Sequence, residues 1–67
     1  MEKTVYVVST RAGGVDTFFK ELNGVKPHFV DDITESMFMT EGDAIKLTTF
    51  LNKKTDMYFE IIEVNFE

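Results

Sequence analysis

The chain has 67 residues, room for one small domain, and its 43% hydrophobic and 28% charged content is that of a folded globular protein and not of a disordered tail. It has no Cys and a single His, His28, which excludes a disulfide framework, a thiolate metal site, a redox pair and a multi-histidine zinc site, and leaves little for general-base catalysis at neutral pH. Twelve acidic residues against seven basic ones give a net charge of −5, a sign that argues against direct binding to nucleic-acid phosphates.

Met1-Glu2-Lys3 opens into a polar–apolar alternation rather than a signal-peptide core. No apolar run approaches the roughly 20 residues of a membrane span, so a cytoplasmic protein without membrane contact is expected. Thr4 to Thr10 is rich in β-branched and aromatic residues and reads as a first strand. Gly13-Gly14 follows as a turn, since paired glycines take positive φ without steric cost. Val15 to Leu22 fits either a second strand, paired back on the first in a hairpin, or a two-turn helix starting at Asp16. The Gly-Gly turn between two aromatic-rich runs favours the strand.

Asn23-Gly24 is a second turn, and Pro27 excludes a helix across Lys26. Asp32, three residues ahead of Glu35, reads as a capping box and predicts a helical turn over 33–37 with Ile33 and Met37 on one face. Phe38-Met39 then runs extended as a further strand into Thr40. Thr40, three residues ahead of Asp43, repeats the cap logic and predicts a helix over 41–54. Its apolar stripe is Ala44, Ile45, Leu47, Phe50 and Leu51, with Glu41 and Asp43 in the first turn and Lys53 and Lys54 in the last, as the dipole favours. Residues 57–66 form the final strand, with Phe59 and Ile61 on one face and Tyr58, Ile62, Val64 and Phe66 on the other. A strand apolar on both faces belongs in the sheet centre or carries a bulge.

The predicted fold is a single α+β domain over 1–67: an antiparallel sheet of three or four strands with one main helix on one face, in the order β-β-short helix-β-α-β. The last strand is central or pairs with the first. The predicted core is Val5, Val7, Phe19, Phe29, Ile33, Phe38, Ala44, Leu47, Leu51, Phe59, Ile61 and Val64.

The run Phe29-Val30-Asp31-Asp32-Ile33-Thr34-Glu35-Ser36-Met37-Phe38, leading into Thr40-Glu41-Gly42-Asp43-Ala44 behind a Tyr-Val-Val strand and a glycine turn, resembles short proteins encoded in phages and prophages of low-GC Gram-positive bacteria. The likeness covers about two thirds of the chain. Ser36 stands where many such proteins have Ala, and Gly42 replaces a better helix former at a cost of up to about 1 kcal/mol. The resemblance implies a phage-associated protein of the host cytoplasm and no particular activity.

No catalytic constellation emerges. Asp31, Asp32 and Glu35 lack the glycine-bearing loop of alternating oxygens that a calcium loop needs, and capping accounts for two of them, so no metal is expected. Gly13-Gly14 lacks the spaced glycines and the Lys of a phosphate loop, and the hydroxyls have no base beside them. No cofactor is expected, and ordering so short a chain leaves little surface for a water-excluding pocket.

Charge asymmetry is the remaining signal. Residues 1–30 carry three acids and four bases, residues 31–67 nine acids and three bases, and 31–43 hold Asp31, Asp32, Glu35, Glu41 and Asp43 with no base among them. Helix starts account for much of this. The functional expectation is a small, acidic, non-enzymatic module that binds and modulates a host or phage protein, with those five residues as the interface. The alternatives are an inhibitor occupying the basic groove of a nucleic-acid enzyme or defence system, and a self-assembling protein, for instance a homodimer, that pairs through an exposed strand edge.

Overall fold

A paired-glycine turn sets the architecture. In the computed structural model, which describes residues 3–24 and 26–66, Gly13 and Gly14 hold φ of 61° and 81°, as a type I′ hairpin turn requires. The turn folds β2 (Val15–Asn23) directly onto β1 (Lys3–Ala12), with Ala12 opposite Val15. That immediate backbone pairing is why 15–22 is strand and not helix. A second turn leads into β3 (Lys26–Val30). A 3-10 turn (Ile33–Glu35), helix α1 (Glu41–Lys54) and β4 (Phe59–Phe66) complete the order.

All pairings are antiparallel, and the sheet runs β3-β2-β1-β4 with α1 packed against β1 and β4. The α+β fold with one main helix on one face is therefore as the sequence predicts, and α1 occupies the predicted 41–54. Two placements differ. The third full strand is Lys26–Val30, ahead of the short turn, where Pro27 takes an edge position that tolerates its missing N–H. Phe38-Met39, predicted as that strand, contributes a single β-bridge, Tyr6 to Met39. The final strand pairs with the first, but at the sheet edge, and its eight consecutive pairs with β1 run without a bulge.

Pleat alternation sorts the side chains. Tyr6, Val8, Phe19, Phe29 and Phe59 face α1. Val8, Phe19, Ala44, Leu51 and Phe59 form the buried cluster, against which Tyr6, Phe29, Met39, Leu47 and Phe50 pack. Phe29 joins the two halves, edge-on to Phe19 and stacked on Phe59, each at 5.9 Å between ring centroids. Of the predicted core, Val7, Phe19, Ala44, Leu51 and Phe59 are buried and Val5, Phe29, Ile33, Leu47 and Val64 half-buried. Phe38 and Ile61 are corrections, 42% and 38% exposed.

Ser9 and Thr10 are buried without having been predicted. Each hydroxyl has a backbone partner: Ser9 Oγ donates to the Thr17 carbonyl at 2.9 Å and Thr10 Oγ1 to the Tyr58 carbonyl at 2.7 Å. Satisfying those groups removes the penalty of burying them.

Candidate binding surface

β1 and β2 pair only from Ser9 to Ala12 and from Val15 to Phe18. Beyond that the strands part. The β2–β3 register shifts between Phe19 and Glu21, and a bulge bends the strand that carries it, so the far end of β2 leaves β1. Met37–Met39 fills the notch. The Met37 N–H donates to the Phe19 carbonyl at 2.9 Å, while Tyr6 and Met39 exchange N–H to carbonyl bonds of 2.8 and 2.9 Å. This short segment is thus tied to both strands that it separates.

Phe38 sits between the two tethered residues. Alternation sends Met37 and Met39 toward the helix side and Phe38 to the opposite, uncovered face. There its ring meets Phe66 edge-on at 5.5 Å. Val5, Val7, Phe18, Val30, Ile62 and Val64 share that face by register. Val7 is fully buried although α1 packs on the other face, so this side carries a small apolar layer of its own.

The notch also opens an apolar groove of about 730 Å³, lined by Phe19, Leu22, Met37, Phe38, Met39 and Leu47, with Lys3 and Asp43 as its charged members. The domain's size had suggested little room for a concave site. Splaying two strands around an inserted segment provides one, open along a side.

The five predicted interface residues, Asp31, Asp32, Glu35, Glu41 and Asp43, are all exposed. They fall into two groups: the first three lie at the turn after β3, the last two at the start of α1. Among the described residues, no three acidic or His side chains converge as a metal site. The local geometry corrects the capping box. Asp32 Oδ1 accepts from the Thr34 N–H at 2.9 Å and the Thr34 hydroxyl at 2.7 Å, while the Glu35 N–H goes to the Asp32 backbone carbonyl at 3.0 Å. The turn ends at Glu35 rather than at 37, because Ser36 is extended, with φ of −79° and ψ of 167°, and the Met37 N–H goes to the Phe19 carbonyl instead of continuing the turn.

The Thr34 hydroxyl and then its N–H hold the Asp32 carboxyl below its ordinary value. At α1 the predicted cap is present, with Thr40 Oγ1 accepting from the Asp43 N–H at 3.2 Å. The Tyr6 phenol is pushed up by desolvation and then by the carboxylates of Glu41 and Glu63. Asp43 alone of the five lines the groove.

Sequence reasoning missed the notch. Its signals were the bulge at Lys20 and the β-bridge at Met39, and neither has a residue signature. No family model, curated protein or solved structure matches this chain. Among the described residues, no helix is long and apolar enough to cross a membrane.

Proposed function

We propose that the chain acts by binding another protein, with Phe38 as the fixed apolar anchor and the carboxylates of residues 31–43 selecting a basic partner, and not by catalysis. The observation that carries this is the combination of exposure and constraint at Phe38. The ring is 42% exposed, yet backbone bonds on both sides tie its segment to β1 and β2. A large aromatic held outward loses little further conformational freedom on binding, which is the economy of an interface hot spot. Met37, 44% exposed, and the groove beside it extend the apolar contact.

The motif resemblance makes a host or phage protein the expected partner, bound in the cytoplasm. The sharper reading, an inhibitor seated in the basic groove of a nucleic-acid enzyme, is favoured by the excess of nine acids over three bases in residues 31–67. Affinity capture with the tagged chain and with a Phe38→Ser variant tests the proposal. The same partner should be retained by the wild type and lost by the variant, and its retention should fall as salt rises. Equal capture by both chains overturns the proposal.

A further inference from the structure

We infer that the free edge of β4 is a strand-addition site for an extended basic segment of another protein, one that alternates apolar and Lys or Arg side chains. The inference rests on the protein-binding reading above and specifies a second part of the contact, made by backbone rather than by Phe38.

The two sheet edges are built differently. β3 is five residues long, contains Pro27, and pairs with β2 across a bulge. Short length, proline, irregularity and charged side chains are devices that keep an edge from accepting another strand. β4 has only the last, in Glu60 and Glu63. It is eight residues long, free of Pro and Gly, and regular in all its pairs with β1. Among the described residues nothing pairs with its outer side. Alternate residues of an antiparallel strand direct N–H and C=O away from the existing partner, so β4 presents a ready ladder.

Side chains select what fits that ladder. The only charges on β4 are acidic, Glu60 on the uncovered face and Glu63 on the helix face. Ile62, Val64 and Phe66 form the rest of the uncovered row, and Ile61 lies partly exposed on the other. An added strand with apolar residues over Ile62, Val64 and Phe66, and a Lys or Arg over Glu63, matches both rows. A second copy of this chain would bring its own Glu60 and Glu63 and a net charge of −5 to the same edge. Charge therefore favours a basic partner strand over self-pairing.

The test uses the full chain, isotope-labelled, with blocked octapeptides of alternating Lys and Val at low salt. Two further versions carry N-methyl groups at the odd or at the even positions, which remove the N–H groups along one edge only. The expected result is saturable binding that moves the β4 amide signals. One N-methylated version should lose binding and the other keep it, with affinity falling on the order of tenfold on raising the salt to physiological strength. Binding by both N-methylated peptides overturns the inference, since charge alone would then hold the peptide. Unmoved β4 amides overturn it as well. Movement of those amides with protein concentration alone overturns it in favour of a second copy.

If the octapeptide fails while Phe38-dependent capture persists, strand addition falls and the protein-binding reading stands. If capture ignores Phe38 while the octapeptide binds along β4, strand addition stands without the Phe38 anchor.

Discussion

Tyr6 and Met39 exchange both of their backbone hydrogen bonds, at 2.8 and 2.9 Å, across the notch where β1 and β2 separate. One bridge thereby closes a gap that would leave central-strand backbone unpaired, and it fixes the outward direction of Phe38 on one side. The Met37 bond to Phe19 fixes the other side. Exposure at Phe38 is thus a consequence of how the chain satisfies its backbone, and the domain does not depend on that ring for its core.

That separation of roles predicts unequal costs for two truncations. Leu51, fully buried in the main cluster, should cost about 3 kcal/mol when changed to Ala, from lost transfer energy and the cavity left behind. Phe38→Ser should cost under about 1 kcal/mol, as for an exposed position that loses one edge-on contact with Phe66. Urea denaturation of both variants measures the difference.

Thr40 caps α1 through its Oγ1, which accepts from the Asp43 N–H. Thr40→Ala should destabilise the fold by about 1 kcal/mol, and Thr40→Ser should restore most of it. Thermal melts followed by circular dichroism report both.

Gly42 lies in the first turn of α1 with ordinary helical space around it, since a Cβ added there meets nothing within 4 Å. Gly42→Ala should therefore stabilise the protein by roughly 0.5–1 kcal/mol by restricting the unfolded chain. In a domain of this size the melting temperature should rise by about 2–8 °C.

The turn at Asp32 gives a pH dependence of defined sign. Its carboxyl is held below the ordinary 3.8 in the folded state by the hydroxyl and N–H of Thr34, so folding favours the charged form. The stabilisation is complete above 3.8 and is lost as the pH falls through the lower, folded value. Thr34→Ala removes the hydroxyl donor. The stability gap between wild type and variant should be constant at neutral pH and close under acid conditions, and the Asp32 carboxyl signal should titrate at higher pH in the variant.

Much of the fold was legible because it is governed by local rules. Thr40 and Asp43 mark the start of α1, Lys53 and Lys54 its end, and Gly13-Gly14 the hairpin. The third strand was misplaced because Pro27 and the turn before it mask a five-residue edge strand, whereas Phe38-Met39 has strand-like composition and only one bridge. The final strand pairs with the first, one of the two placements its sequence allowed, and its two apolar faces need neither a central position nor a bulge because the second face is met by Phe38 rather than by another layer. At Asp32 the Asp-x-x-Glu spacing pointed to a capping box, while the intervening Thr34 offered a nearer hydroxyl and N–H. The acidic residues were legible as an exposed set. The notch that Asp43 alone of them lines was not, because it arises from a long-range divergence of β1 and β2 that no local pattern encodes.

The most direct test of the account is site-specific photo-cross-linking in the protein's own cell, with a photoreactive phenylalanine at position 38 and, as a control, at exposed Lys53 in the last turn of α1. The account predicts one discrete protein adduct from position 38 that is absent from position 53. The same adducts from both positions, or none from 38, would contradict it.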